Sequence, residues 1–266
     1  MITAYHRPKT LEEALILLTQ SDALPLGGGT LLSHATADSV QAVDLQFLGL
    51  DSLTQTGNIL ELGATLTLQS LLESEQCPPA LKSALKLEAP LNIRNSATVA
   101  GTLVSCDGRS TFASVLLALD AKVEIRSIDK LELVKMETES RSPQYTVTSL
   151  GIGEFLPLRS EQLQGKLITS ISISTNAKLA FEYVSRTPAD KPTVCAALAQ
   201  WNSGRTRLTL GGYGKTPMLA MDGTEPDGID VAARNAFHEA TDEYASAEYR
   251  MDIAATLAKR CLENLN

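Results

Sequence analysis

Pro25-Leu26-Gly27-Gly28-Gly29-Thr30-Leu31-Leu32 is the stretch around which the chain is organised. Glycine loses more backbone freedom on folding than any other residue, so three in succession are costly unless the geometry needs them. The need arises where the backbone turns sharply, or where its N–H groups meet a ligand with no Cβ between. Successive N–H groups in a tight turn form a concave nest suited to phosphate oxygens. A plain flexible turn is the bland alternative. A second small-residue stretch, Ile93-Arg94-Asn95-Ser96-Ala97-Thr98-Val99-Ala100-Gly101-Thr102, follows after one intervening block. Two phosphate-sized loops in one chain suit a dinucleotide, one loop for each part of it.

Upstream, Thr10-Leu11-Glu12-Glu13 has the form of a capping box, with the Thr hydroxyl taking an amide hydrogen bond and Glu13 reaching back. Leu11, Ala14, Leu15 and Leu18 then give one buried helical face. A short strand over Ala23–Leu26 runs into the glycines, and ligands favour the carboxyl end of such a strand. No long amphipathic helix follows the turn, so an ordinary Rossmann domain is disfavoured. Val40–Leu45 and Ile59–Ala64 read as strands. Thr67 starts a helix carrying Leu68, Leu71 and Leu72, and Pro78-Pro79 precedes another over Ala80–Leu87. After the second loop come an apolar helix, Phe112–Leu119, and strands at Val123–Ile125, Leu131–Val134 and Tyr145–Val147. Leu167–Ser174 alternates apolar and polar, the pattern of a half-buried strand.

A boundary is expected at Thr175-Asn176-Ala177. Beyond it, Phe181–Ser185, Thr193–Ala199 and Arg207–Leu210 read as three strands, followed by helices over Ile229–Ala240 and Ala247–Leu265. Ile253, Ala254, Leu257, Ala258, Cys261 and Leu262 form the core face of the last helix. Gly211-Gly212-Tyr213-Gly214 reads as a turn rather than a phosphate site.

A net charge of -8 and the lack of a Lys/Arg stripe argue against a nucleic-acid surface. No apolar run reaches membrane-spanning length and the N-terminus lacks a signal pattern, so a cytoplasmic protein is the simplest expectation. Cys77, Cys106, Cys195 and Cys261 lie far apart, which disfavours a zinc site, an iron–sulfur cluster within the chain, or a disulfide framework. His6, His34 and His238 have no metal-ligand spacing and no partnered nucleophile, and read as surface or loop residues.

In this order and at these distances, the features resemble the FAD-binding medium subunit of the molybdenum hydroxylases, the family of xanthine dehydrogenase and aerobic carbon-monoxide dehydrogenase. The resemblance covers nearly the whole chain. Gly27–Leu32 matches the family's first flavin loop, approximately AGGTDLL. Ile93–Leu103 matches the second, approximately IRNxATIGGNL. Leu116-Leu117-Ala118-Leu119-Asp120-Ala121-Lys122-Val123 continues as LLALDAxV without a gap. Leu167–Ser174, Tyr183-Val184-Ser185-Arg186 and Ser246-Ala247-Glu248-Tyr249-Arg250 match further segments.

The resemblance implies an α+β fold: a two-subdomain FAD-binding domain of the vanillyl-alcohol-oxidase (PCMH) type over 1–175, then a smaller antiparallel-sheet-plus-helices domain over 176–266. It implies non-covalent FAD held by Pro25, Leu26, Gly27, Gly28, Gly29, Thr30, Leu31 and Leu32, with Thr98, Val99, Ala100, Gly101 and Thr102. Thr111 and Ile168 would lie at the cofactor as well. It further implies a heterotrimer with a molybdopterin-binding large subunit and a [2Fe-2S] small subunit, with NAD and a quinone as candidate acceptors. In that arrangement electrons pass from the iron–sulfur clusters through FAD to the acceptor.

This sequence departs from the family at five places. Ala100 replaces the first glycine of the second loop's pair, with a methyl group expected to crowd a phosphate oxygen. Thr102 stands for Asn, Thr111 for a cofactor-contacting Asp, Leu31 for a common Asp, and Tyr183 for a Lys. These departures favour a second reading, a flavin-free or weakly flavin-binding scaffold subunit. A free-standing flavin oxidase or reductase is disfavoured because no residue set for substrate chemistry is evident.

Overall fold

A computed structural model describes residues 1–31, 39–128 and 145–265. The expected strand Leu131–Val134, together with Leu32 and His34, lies outside the described residues.

The N-terminal part begins with a parallel sheet of β1 (Ile2–His6), β2 (Ala23–Leu26) and β3 (Val40–Asp44), in the order β1-β3-β2. Helix α1 (Leu11–Leu18) joins β1 to β2. Thr10 caps it by accepting from the Glu13 N–H at 3.2 Å, but Glu13 reaches back to the Lys9 N–H at 2.8 Å, not to that of Thr10. Ala14, Leu15 and Leu18 of α1 share a core cluster with Val43, Ile128 and Leu167. That cluster fastens the small sheet to its neighbour. β1 carries no fully buried residue, so it has no apolar alternation to mark it in the sequence.

The neighbour is a five-stranded antiparallel sheet of β4 (Leu53–Thr56), β5 (Ile59–Gly63), β6 (Lys122–Ile128), β7 (Tyr145–Gly151) and β8 (Lys166–Ser174), in the order β4-β5-β8-β6-β7. β8 is the centre, and Thr169 and Ser170 are buried along with its apolar residues. The alternation that predicted a half-buried strand therefore belongs to one covered on both faces. Helices α2 (Leu68–Glu73), α3 (Pro79–Glu88), α4 (Leu91–Arg94), α5 (Val99–Ser105) and α6 (Thr111–Ala118) lie between β5 and β6 in the chain, and α7 (Ile152–Gln162) follows β7. α7 escaped prediction because it has little apolar periodicity and carries Pro157 inside it.

The second small-residue stretch is not one loop. It comprises the last two residues of the short helix α4, a turn over residues 95–98, and the first turn of α5. Thr98 caps α5, accepting from the Gly101 N–H at 3.2 Å. Serine, threonine, alanine and glycine suit a loop, but a Thr before a Val-Ala-Gly-Thr run also suits a helix start.

After Ser174 the chain enters a second antiparallel sheet of β9 (Ala177–Val184), β10 (Val194–Trp201), β11 (Thr206–Gly211) and β12 (Met218–Gly223), in sequential order. The fourth strand, β12, is an edge strand with no fully buried residue, so three strands were legible and the fourth was not. α8 (Ile229–Ala236) and α9 (Ala247–Leu265) back this sheet, with Ala254, Leu257, Ala258 and Cys261 buried against it.

Every residue of α6 is buried, as expected of a helix apolar on all sides. It packs on α3 and on β10 and β11 of the second sheet. The Thr209 hydroxyl donates to the Ser114 carbonyl at 2.7 Å, and Arg207 Nη2 to the Leu117 carbonyl at 3.1 Å. Phe181, Cys195, Ala197 and Ala199 consequently share one apolar cluster with the five-stranded sheet.

Candidate functional site

β2 delivers its carboxyl end to Gly27, where the backbone turns alongside residues 96–98. A β-carbon on Gly28 would lie 1.6 Å from the Ser96 carbonyl oxygen, and one on Gly27 would lie 3.0 Å from Thr98 Oγ1. Gly29 adopts φ +70°, a conformation that favours glycine. The glycine requirement thus arises first from contact between the two stretches. The structure brings together the two segments that the sequence singled out.

Their amides differ in availability. The N–H groups of Gly27, Gly28, Gly29, Thr30 and Leu31 have no acceptor among the described residues. Gly27, Gly28 and Leu31 are exposed, as is Pro25, while Leu26, Gly29 and Thr30 are half-buried. This turn forms the donor-rich half of the site. In the second stretch the amides of Val99, Ala100, Gly101 and Thr102 are all committed, while the Thr98 N–H has no acceptor among the described residues. Val99 N–H donates to Leu66 O at 2.9 Å, Ala100 N–H to Ala64 O at 3.2 Å, and Thr102 N–H to Thr98 O at 2.8 Å. The Gly101 N–H is taken by the Thr98 cap, and the Thr102 hydroxyl donates to Thr98 O at 2.8 Å. Backbone donors without an acceptor are therefore concentrated in the first stretch, with the Thr98 N–H beside them from the second. The second supports the first, and it places Gly101 on the surface.

Ala100 is half-buried and packs against the main core cluster. Ile168 is buried in the same cluster, on the central strand β8. Two backbone hydrogen bonds tie that strand to α5: Ala64 N–H donates to Thr169 O at 3.0 Å, and Ala64 O accepts from Ala100 N–H.

Thr111 is fully buried at the start of α6, where its hydroxyl meets Ala84 O at 2.7 Å and Glu88 Oε2 at 3.2 Å. Its hydroxyl is thus engaged by interior partners. The acidic group at this helix start comes instead from α3. Glu88 Oε2 also accepts from Ser110 Oγ at 2.8 Å and from the Phe112 N–H at 2.9 Å, and Glu88 Oε1 faces Lys191 Nζ at 3.4 Å. A carboxylate at a helix N-terminus satisfies open donors and suits the helix dipole. Sequence reasoning missed it because residue 88 gives no local sign of the partners at 110–112 and 191.

The third glycine cluster is a turn, as expected, but a packed one. Gly212 N–H donates to Gly108 O at 2.7 Å and Gly108 N–H to Gly214 O at 2.9 Å. A β-carbon on Gly212 would lie 2.1 Å from Thr193 O, at φ +129°. All four cysteines are free and buried, and burial pushes the Cys106 thiol up to about 11 and that of Cys77 to about 12. His6 pairs with Gln41 at 2.8 Å, and His238 is exposed near Glu239. No helix among the described residues is long and apolar enough to cross a membrane.

Comparison with known proteins agrees with this geometry. Residues 1–173 match the family described as the FAD binding domain in molybdopterin dehydrogenase. The carbon monoxide dehydrogenase medium chain of Afipia carboxidovorans is 26% identical, over 97% of this chain and 95% of its own. The 6-hydroxypseudooxynicotine dehydrogenase complex subunit alpha of Paenarthrobacter nicotinovorans is 27% identical, over 95% of this chain and 90% of its own. Among solved structures, reconstituted CO dehydrogenase from Oligotropha carboxidovorans superposes with a TM-score of 0.76 at 25% identity, covering 98% of this chain and 96% of that one. With an α+β architecture and an open-amide glycine turn in the matched region, the chain belongs to the FAD-binding domain family of the molybdopterin dehydrogenases.

Proposed function

We propose that this chain is the FAD-binding medium subunit of a molybdenum hydroxylase complex, an oxidoreductase assembly in which it relays electrons from a [2Fe-2S] small subunit to an external acceptor. The observation that carries the reading is the glycine turn, five consecutive amides with no acceptor among the described residues, within a region that matches an FAD-binding family. Pro25–Leu31 would hold the pyrophosphate, Thr98–Thr102 would fix the turn's position, and Ile168 would lie on the flavin side. FAD supplies the electron-accepting chemistry when bound, while the protein supplies binding, orientation and electrostatics. Relatives named as a medium chain and as a complex subunit support a molybdopterin-binding large subunit as the other partner. NAD and a quinone are the candidate acceptors. The same reading divides the chain into a flavin domain, 1–175, and a C-terminal domain, 176–266, joined through α6.

A flavin-free scaffold is the second reading. It is favoured by the internal commitment of the Val99–Thr102 donors and of the Thr111 hydroxyl. The absorption spectrum of the purified chain separates the two. Flavin bands near one per chain, with colour released into the supernatant on acid precipitation, are the expected result. A colourless chain that takes up no added FAD would leave the scaffold reading standing.

A further inference from the structure

A cavity of about 300 Å³, none of whose lining residues belongs to the glycine turn, is lined by Arg109, Arg186, Asp190, Lys191 and Tyr244 among others. Three cations against one carboxylate stand out in a chain whose net charge is -8. Lys191 is held by Glu88 at 3.4 Å and Asp107 at 3.8 Å, so its charge is answered. Arg109 and Arg186 are fixed by neutral groups instead. Arg109 Nε donates to Pro192 O at 3.2 Å and Nη2 to Lys191 O at 2.6 Å, with the guanidinium 4.2 Å from the centre of the Tyr244 ring. Arg186 Nη2 donates to the Tyr244 carbonyl at 2.9 Å. Neither has a carboxylate within ion-pair distance among the described residues. Arg109 Nη1 and Arg186 Nε and Nη1 are left with no acceptor among those residues.

Orienting two long side chains costs rotamer entropy, and two uncompensated guanidiniums lining one cavity repel each other. Both costs are offset once a shared anion arrives, because the fork of donors in arginine matches carboxylate and phosphate oxygens. We propose that this cavity binds a small organic anion through a carboxylate or phosphate head, with Arg109 and Arg186 as its ligands. A volume of about 300 Å³ lies at the lower end for small-molecule pockets, which favours a compact metabolite over a whole nucleotide. Asp190, which also lines the cavity and has no ion partner among the described residues, favours a ligand that carries a hydrogen-bond donor besides its anionic head. The site does not depend on the FAD reading.

Titration calorimetry of the full chain at low ionic strength, with inorganic phosphate and malonate as probes, tests the assignment. Arg186 and Asp190 are exposed, so Arg186→Gln and Asp190→Asn leave the core intact. The expected result is saturable one-site binding of at least one probe, roughly tenfold weaker in Arg186→Gln and tighter in Asp190→Asn. Phosphate binding without malonate binding, or the reverse, identifies the head group. No saturable binding of either probe, or an affinity that neither substitution moves, overturns the assignment.

Discussion

Gly28 packs so closely on Ser96 that a β-carbon at residue 28 would stand 1.6 Å from the Ser96 carbonyl oxygen. Even Gly28→Ala must therefore push the glycine turn away from residues 96–98. We predict loss of bound flavin together with a lower melting temperature of the apoprotein. Gly49→Ala is the matched control: its φ is +66°, but nothing lies within 4 Å of an added β-carbon. It should cost only backbone strain, about 1 kcal/mol, and keep its flavin. Gly212→Val would not serve, because that β-carbon would stand 2.1 Å from Thr193 O. Flavin retained in Gly28→Ala at an unchanged melting temperature would refute the packing argument.

Ala100→Gly separates a phosphate role from a helix role. Ala100 sits in the first turn of α5, with its N–H on Ala64 O and its methyl group against the core. Glycine there should lower stability by about 0.5–1 kcal/mol and leave flavin affinity within about twofold. Flavin titration and melting of the apoprotein read the two effects separately. Flavin binding tightened tenfold would show that the methyl group does crowd the cofactor.

What the sequence disclosed followed from local chemistry. Thr10 and Thr67 announced their helices through hydroxyls that take the Glu13 and Ser70 amides. The apolar run Phe112–Leu119 announced a buried helix because it has no polar face. Edge strands β1 and β12 lack buried alternation, so their only signal is pairing with distant partners. At the site, proximity in the chain correctly linked glycines to a turn but said nothing of Ser96, some seventy residues on, against which they pack. Thr98–Thr102 was misread because a hydroxyl-capped helix start and a glycine loop share a composition. Glu88 and Lys191 meet only through the tertiary fold.

Glu88 tests how firmly α6 is tied to its surroundings. Its Oε2 serves Ser110, Thr111 and the Phe112 N–H, all of them buried. Glu88→Ala strands these donors and frees Lys191, and should cost about 2–4 kcal/mol in urea unfolding. Glu88→Gln keeps one carbonyl oxygen for the helix start and should cost less than half as much. Equal losses in both variants would mean that the charge facing Lys191 matters more than the helix cap.

Acid sensitivity should trace to the four-residue cluster that joins the end of α6 to β11 and β12. Arg205 contacts Asp120 and Asp222, each at 2.9 Å, while the buried Arg207 reaches Asp222 at 2.6 Å and Asp120 at 3.2 Å. The hydrogen bond from Arg205 is the main reason that the Asp222 carboxyl is held below its ordinary value, with Arg207 adding to it against the opposing effect of burial. A depressed carboxyl favours folding above its unfolded pKa, near 3.9, because there the folded and unfolded forms are both charged and the ion pairs are intact. As pH falls below about 4, the unfolded chain takes up a proton that the folded chain resists, so stability declines until the folded carboxyl is protonated as well. Asp222→Asn should therefore be less stable than the parent at pH 7, by about 1–3 kcal/mol, since Arg207 loses its shortest partner and its Nε already has no acceptor. The gap should narrow as urea unfolding is repeated at successively lower pH. Acid limbs that fall in parallel for parent and variant would assign the acid loss to other carboxylates.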